Sequence, residues 1–182
     1  MKWFTADLHL GHSSIVKYCN RPFKDVIEMN NTIINNWNSV VNSQDTVYVI
    51  GDFCFGNASY YIEKLKGNKV FLAGSHDKDL YKLGLIKHEI WNLKEENETI
   101  ILCHYCMRVW HKSHFNSWHL FGHSHGRLVP EGKSMDVGVD CNNFYPISLD
   151  RIREIMKDKP DNSNFLGNKN NIENNYQGEK EE

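Results

Sequence analysis

Residues 46–52 read TVYVIGD, a short apolar run that ends in glycine and aspartate. Five residues that are mostly β-branched or aromatic are typical of a strand buried inside a sheet. Four other runs have a similar length and character, at residues 2–6 (KWFTA), 69–73 (KVFLA), 99–103 (TIILC) and 118–121 (WHLF). The sequence therefore predicts five buried strands.

Helical patterns separate and follow these runs. Residues 25–41 begin with a capping pattern, Asp25-x-x-Glu28, and further helices are predicted at residues 58–66 and from a Ser148 cap to about Met156. The alternation of strands and helices predicts an α/β domain with one or two central sheets packed by helices. The apolar positions of the first helix recur at helical spacing and are Ile27, Ile33, Ile34, Trp37 and Val41.

The charge pattern divides the chain into a domain and a tail. Residues 1–156 contain 17 basic and 17 acidic side chains, whereas residues 157–182 contain 4 and 6. The second segment is rich in asparagine, is interrupted by Pro160 and Gly167, and has few apolar residues. We therefore expect a single domain at residues 1–156 and a flexible or loosely docked tail at residues 157–182, with an interaction role as the alternative.

Composition also excludes several classes of protein. The net charge of −2 gives no broad cationic surface for nucleic acid. No apolar stretch is long enough to span a membrane, and the first ten residues already include Asp7 and His9. The five scattered cysteines fit a reducing compartment, which predicts a cytoplasmic protein without a membrane partner.

Each predicted strand is followed by polar residues of a narrow range of types. In α/β sheets ligands bind outside the carboxyl ends of strands, so residues that are distant in the sequence converge there. We therefore expect one site built from Asp7-Leu8-His9, Gly51-Asp52, Gly74-Ser75-His76-Asp77, His104 and Gly122-His123-Ser124-His125.

These residue types point to metal ions. In extended backbone, residues two apart point the same way, so Asp7 with His9, and His123 with His125, could each face one centre. Together with Asp52 and His104 they offer six ligands, which is too many for one tetrahedral zinc ion. Six ligands suit two divalent ions about 4 Å apart, with a carboxylate such as Asp52 bridging them. Mixed oxygen and imidazole ligands suit Mn, Fe, Zn, Co or Ni, and we expect Mn to support activity.

The same ordered blocks resemble the calcineurin-like metallophosphoesterase superfamily. The resemblance runs from Met1 to about Pro146 and is strongest to the small bacterial and phage-type members, which share stretches such as FTADLHLGHSSIVKYCNRPF and DTVYVIGDF. It implies a sandwich of two mixed sheets flanked by helices. It also implies a metal-dependent hydrolase for a phosphomonoester or phosphodiester, acting on a small phosphorylated substrate that could be a nucleotide.

The resemblance further implies a role for each block. One metal would be held by Asp7, His9 and His125, the other by His104 and His123, and Asp52 would bridge both. A metal-bound hydroxide would attack phosphorus. His76 would protonate the leaving group or steady the phosphate, and Asp77 would orient His76.

Ser75 departs from the family pattern, which has asparagine as a metal ligand at this position. A serine hydroxyl is a shorter and poorer donor, so we expect a weaker second metal site. Two alternatives to an active phosphoesterase follow: a binding or scaffold module of the same fold with impaired catalysis, and a nuclease that acts on nucleic-acid ends. The absence of a basic excess weakens the second alternative.

Four residues outside the blocks are candidates for supporting roles. Arg21 and Arg108 are predicted to grip the substrate phosphate, because a guanidinium offers a two-pronged donor. Trp110 is predicted either to stack on a base at the pocket mouth or to pack in the interior. His12 is predicted to contact the metal ligands from behind, or to be an ordinary histidine at a helix start.

Overall fold

Two β-sheets form the centre of the molecule, which is a computed structural model that describes residues 1–162. The strands are β1 Lys2–Thr5, β2 Thr46–Ile50, β3 Asn68–Leu72, β4 Ile86–His88, β5 Ile90–Glu95, β6 Glu98–Cys103, β7 Trp118–Phe121, β8 Ser134–Asp136 and β9 Ile147–Ser148. The helices are α1 Ile15–Tyr18, α2 Val26–Val40, α3 Ala58–Lys64, α4 Lys78–Lys82 and α5 Leu149–Lys157.

Both sheets are mixed, and helices flank them. The first has the order β4-β3-β2-β1-β9, with β9 antiparallel to β1 and the other neighbours parallel. The second has the order β5-β6-β7-β8, with β5 antiparallel to β6 and the others parallel. This architecture confirms the predicted α/β class with two mixed sheets.

Alternate residues of the central strands enter two different cores. Val47 and Val49 of β2 pack in the same cluster as Ile33 and Trp37 of α2. Tyr48 and Ile50 face the second sheet, in a cluster that includes residues of β6, β7 and α5. The strand period of two thus buries both faces of β2, which explains its uninterrupted apolar sequence.

The five predicted strands and three predicted helices are confirmed to within two residues at each end. Asp25 caps α2 by accepting hydrogen bonds from the backbone N–H groups of Ile27 and Glu28, and Ser148 caps α5. One prediction about α2 was wrong: the Ile27 side chain is 67% exposed and lies outside the core. The first turn of a helix often extends past the surface that the rest of the helix covers.

The carboxyl ends of the two sheets meet. A bridge joins Ala6, just after β1, to Gly138, just after β8. The backbone N–H of Val139 also donates to the Ala6 carbonyl at 3.1 Å. Since β1, β2 and β3 are mutually parallel and so are β6 and β7, the segments that follow these strands gather along one seam.

The beginning of the predicted tail packs against the domain. Asn162 is buried, and its backbone N–H and side-chain amide donate to the carbonyl oxygens of Ser113 and Arg108 at 3.1 and 2.7 Å. The predicted flexible tail at residues 163–182 lies outside the described residues. Within residues 1–162, no helix is long and apolar enough to cross a bilayer.

Candidate metal centre

Four strand ends deliver the candidate ligands to the seam between the sheets. Asp7 and His9 follow β1, Asp52 follows β2, His104 follows β6, and the segment that contains His123 and His125 follows β7. The convergence expected from the sequence is therefore present. The ligand atoms form two groups, each with its atoms within 4.8 Å of one another: Asp7, His9 and His125, and Asp52, His104 and His123.

The backbone at these ligands is left-handed rather than extended. The φ angles of Asp7, His9, Asp52, His123 and His125 are 56°, 50°, 54°, 66° and 49°. Non-glycine residues rarely adopt this conformation, and it concentrates at functional sites. The expected extended geometry at these positions was therefore wrong, and so was its consequence that His123 and His125 face one centre, since they belong to different groups.

Two glycines allow the segments to approach one another. A Cβ atom on Gly74 would lie 2.2 Å from the Asp52 backbone nitrogen, and one on Gly122 would lie 2.7 Å from Asp7 Oδ2. Both distances are shorter than any normal contact, so each position requires glycine. The glycines that precede Ser75 and His123 in the sequence thus have a direct role in closing the site.

Asp52 lies between the two groups. Its Oδ2 atom is 3.5 Å from His9 Nε2 and 3.4 Å from His104 Nε2. The Asp52 backbone is held from behind, because the Asp77 carboxylate accepts from its N–H at 2.8 Å. This geometry matches the bridging role expected for Asp52.

The imidazoles present unused nitrogen atoms to the site. His104 Nδ1 is 2.9 Å from the Ile50 carbonyl, which requires a proton on Nδ1 and leaves a lone pair on Nε2. Both His104 Nε2 and His9 Nε2 are buried without a hydrogen-bond partner. Buried polar atoms normally have partners, so these two nitrogens fit a role as metal ligands.

The pKa shifts lead to the same conclusion. Burial raises the pKa of Asp7 to about 7, although the nearby histidines and the His123 backbone N–H oppose the rise. Burial lowers the pKa of His9 to about 3, which keeps its imidazole neutral. A cation would stabilise the charged form of the buried Asp7 carboxyl and accept a lone pair from the neutral His9 imidazole, so these two residues fit a metal site.

Arg21 stabilises the first ligand group through hydrogen bonds and does not face the substrate. The Arg21 side chain is fully buried, and its guanidinium donates to both Asp140 carboxylate oxygens at 2.8 Å and to the carbonyls of Asp7 and Leu8. Asp140 in turn lies 2.7 Å from His125 Nδ1. The prediction that Arg21 binds phosphate was wrong, because all of its donors face the protein.

Asp77 supports the backbone of the site and does not contact the His76 ring. Its carboxylate accepts from the N–H groups of Asp52, Phe53 and Gly74, each at 2.8 Å. The expected orienting of His76 by Asp77 is therefore corrected. His76 is exposed, its N–H donates to Asp52 Oδ1 at 2.8 Å, and its ring lies 5.0 Å from that of Phe55.

Ser75 faces Asp52. Its hydroxyl lies 3.1 Å from Asp52 Oδ2 and 3.4 Å from Oδ1, and the side chain is exposed. The serine thus occupies the position expected from its block but donates to the carboxylate between the two groups.

His12 lies next to the first group. Its ring stacks on Phe55 at 3.9 Å and lies 5.6 Å from the ring of His9 and 6.3 Å from that of His76. Burial lowers the pKa of His12, with the charge of His76 as the second cause. His12 and Phe55 form an aromatic surface at the rim of the site.

Trp110 and Arg108 belong to the loop between β6 and β7. Trp110 is buried, and its Nε1 donates to Ser117 Oγ at 3.0 Å while its ring packs on His119. The stacking role offered for Trp110 was wrong, and the packing alternative is confirmed. Arg108 is exposed, and its carbonyl accepts from Asn162.

Two features of the site were not singled out from the sequence. The pairing of Asp140 with His125 and Arg21 joins residues up to 119 positions apart, which no local pattern reveals. Tyr105 contacts two ligands, since its ring lies 5.1 Å from His104 and 4.8 Å from His123. The only available signal for Tyr105 was its position directly after His104.

Comparisons with known proteins place the chain among uncharacterized relatives. No protein-family profile matches it. It is 34% identical over 170 residues to the uncharacterized protein MJ1445 of Methanocaldococcus jannaschii, covering 85% of this chain and 90% of that protein. It is also similar to the Gene 66 proteins of Mycobacterium phage L5, at 37% over 81 residues (41% and 39% of the two chains), and phage D29, at 23% over 197 residues (86% and 96%).

Two solved structures are similar to this one. A protein of unknown function from Aquifex aeolicus, AQ665, aligns with a TM-score of 0.66 and 22% identity, over 85% of this chain and 98% of that one. This likeness shows a shared fold. YfcE, a phosphoesterase from E. coli, aligns with a TM-score of 0.39 and 16% identity over 75% of each chain.

Proposed function

The chain belongs to the same family as the Methanocaldococcus jannaschii protein, and we propose that it is a metal-dependent phosphoesterase that hydrolyses a phosphomonoester or phosphodiester. The position of Asp52 carries this proposal: one carboxylate oxygen lies within 3.5 Å of a histidine nitrogen from each ligand group. Paired metal sites of this kind are used in phosphoryl transfer. The ordered blocks that resemble calcineurin-like metallophosphoesterases favour this reaction over other two-metal hydrolyses.

The charges of the site suit a phosphate ester. Two carboxylates, Asp7 and Asp52, and four imidazoles surround the seam. Two divalent ions, of which we favour Mn, would polarise the phosphoryl oxygens and supply a nucleophile from water at neutral pH. Two divalent ions and two carboxylates would give the site a formal charge of about +2. This local charge would attract an anionic substrate even though the protein has a net charge of −2.

His76 is the candidate proton donor to the leaving group. Its side chain is exposed at the rim, and its backbone is fixed by the hydrogen bond to Asp52 Oδ1. Phe55 supports one side of the ring. A protonated His76 ring could therefore give a proton to the departing oxygen while its backbone stays anchored to the Asp52 carboxylate.

The experiment is an assay of chelator-treated protein before and after Mn is added, with bis-p-nitrophenyl phosphate and p-nitrophenyl phosphate as substrates. We expect turnover only with metal. His76→Ala should lower kcat by about 10²–10⁴-fold at unchanged metal content. His111→Ala, which removes an exposed histidine outside the ligand groups, is the matched control. Absence of turnover with Mn, Fe, Zn, Co and Ni would refute the proposal.

A second candidate is a binding module of the same fold with impaired catalysis. The observation in its favour is Ser75, whose hydroxyl donates to the Asp52 carboxylate where the resembling family has an asparagine ligand. Turnover by Ser75→Asn, with none by the natural sequence, would support this candidate over the active enzyme.

A further inference from the structure

A pocket of about 300 Å³ opens beside the second ligand group. Its wall on the side of the metal centre is formed by His104 and Tyr105, which follow β6. Its other wall includes Tyr81 of α4, Glu89 between β4 and β5, and Ile90 at the start of β5. The pocket therefore lies where the two sheets meet, next to the proposed reaction centre.

Two exposed tyrosines line this pocket. Tyr81 and Tyr105 are each 50% exposed, and Ile90 beside them is 57% exposed. The Tyr105 ring also meets the rings of His104 and His123 edge-on. A planar group that stacks on Tyr105 would thus lie beside the second ligand group.

Glu89 supplies the polar group of the pocket wall. Glu89 lines the pocket together with Tyr81, and its side chain is exposed, so a ligand in the pocket can reach its carboxylate. An ionised carboxylate only accepts hydrogen bonds. A ligand in this pocket therefore needs N–H or O–H donors on the edge that faces Glu89.

We propose that this pocket binds the base of a nucleotide substrate, with a preference for guanine, and that Tyr81, Tyr105 and Glu89 determine this specificity. The inference rests on the proposed phosphoesterase function. Guanine presents two adjacent N–H donors on its Watson–Crick edge, which a carboxylate can accept in a two-pronged pair. Adenine and cytosine each place a ring-nitrogen acceptor beside their amino group, and a carboxylate repels that acceptor.

The tyrosines take the stacking role that the sequence offered for Trp110. The indole of Trp110 is buried and its N–H is bonded to Ser117, so it has no free face for a base. Base stacking on an aromatic side chain contributes about 1–3 kcal/mol, which corresponds to about 5- to 150-fold in affinity.

The test compares the p-nitrophenyl esters of guanylate, inosinate and adenylate, which differ only in the base. With Mn-loaded protein, kcat/KM should be highest for the guanylate ester and about tenfold lower for the inosinate ester, which lacks the amino group. Glu89→Gln should remove most of this difference, because a neutral amide cannot accept both N–H groups. Tyr81→Ala should lower kcat/KM for all three esters by about tenfold.

Controls separate this inference from the proposed function. Bis-p-nitrophenyl phosphate has no base, so its turnover by the unchanged protein reports the phosphoesterase activity without base recognition. Tyr60→Ala on α3 and Glu154→Gln on α5 remove exposed side chains of the same types elsewhere and should leave the base preference unchanged. Equal kcat/KM for the three nucleotide esters, with intact turnover of bis-p-nitrophenyl phosphate, would overturn the base pocket and leave the phosphoesterase proposal in place.

A binding measurement needs no turnover. Guanosine added to metal-free protein should broaden or shift the tyrosine ring signals in an NMR titration, and Tyr81→Ala should weaken this binding. Guanosine that leaves the tyrosine signals unchanged would contradict the inference even if the enzyme proves to be active.

Discussion

The two ligand groups of the metal centre differ in how their outer histidines are held. In the first group His125 is fixed through Nδ1 by Asp140, which is itself paired with the buried Arg21. In the second group His123 is exposed, and within the described residues its ring meets only the edges of His104 and Tyr105. One group is therefore pre-organised by charge, and the other depends on ring contacts.

This difference has a physical consequence for metal affinity. A ligand that is fixed before the metal arrives loses less conformational entropy on binding, and a carboxylate partner makes an imidazole a better donor. We therefore expect the first site to bind its ion more tightly than the second. The open second site is also the one next to the pocket, where a substrate needs access.

Removing the residue that both groups share should have the largest effect. Asp52→Asn leaves Asp7 as the one carboxylate of the two ligand groups, and we expect kcat/KM to fall by about a thousandfold, as the loss of several kcal/mol implies. Calorimetric Mn titration should show both sites weakened. Asp79→Asn on α4, next to Lys82, is the control. Loss of only one site would mean that Asp52 does not bridge.

Removing the charged partner of His125 should remove the higher Mn affinity of the first group. Asp140→Asn keeps the shape but removes the charge that holds His125, so we expect affinity for the tighter Mn ion to fall by about 10- to 100-fold. Asp150→Asn, an exposed change on α5, is the matched control. Unchanged affinity of the tighter ion would show that pre-organisation by Asp140 does not explain the difference.

Adding a metal ligand to the second group should reduce the difference in Mn affinity between the two sites. Ser75→Asn replaces the hydroxyl that faces Asp52 with an amide oxygen that can reach farther, and we expect the weaker Mn ion to bind about tenfold more tightly. Parallel titrations of the two proteins measure the change. Equal affinity for the weaker ion would exclude Ser75 as the weak point.

A smaller, pH-dependent effect on folding stability is expected from His119 in β7. Buried His119 accepts from the Met107 N–H at Nε2 and lies 3.0 Å from the Ile101 carbonyl at Nδ1, so it is neutral in the folded protein. Burial lowers its pKa. Since the unfolded chain then binds the proton more readily, His119 stabilises the fold above pH about 6.5 and loses this contribution as the pH falls.

The effect of His119 can be isolated by difference. The free energy of unfolding, measured with urea, should fall by about 1 kcal/mol more for the natural protein than for His119→Gln when the pH is lowered from about 7.5 to about 5.5. His111→Ala, which removes an exposed histidine from the loop that precedes β7, is the control. Identical losses in the natural protein and His119→Gln would remove His119 as the cause.

Much of the fold was predictable because its signals are local. The strand at Thr46–Ile50 and the caps Asp25 and Ser148 follow from residue type and spacing within a few positions. The strands Ile86–His88 and Ile90–Glu95 were not predicted, because lysine, histidine and asparagine interrupt their apolar pattern on exposed faces. Glu89, which joins these strands, and Ile90, the first residue of the second, line the pocket, so the pocket was also absent from the sequence-based prediction.

The candidate site shows a similar division. The residue types at the strand ends predicted which side chains meet, but not the left-handed backbone there, nor that His123 and His125 belong to different groups. Backbone conformation of this kind is imposed by tertiary contacts such as the hydrogen bonds from the His123 N–H to Asp7. Arg21 was predicted to bind the substrate phosphate, because its sequence neighbours do not reveal that it pairs with Asp140.

The sequence by itself determined the class of fold, the positions of the central strands and the set of residues that gather at their ends, because periodicity and residue type act over short distances. Only the tertiary structure decided which nitrogen faces which carboxylate, which arginine is buried, and which tyrosines line a pocket. Those properties depend on contacts between residues such as Arg21 and Asp140, which are 119 positions apart and meet only when both sheets are in place.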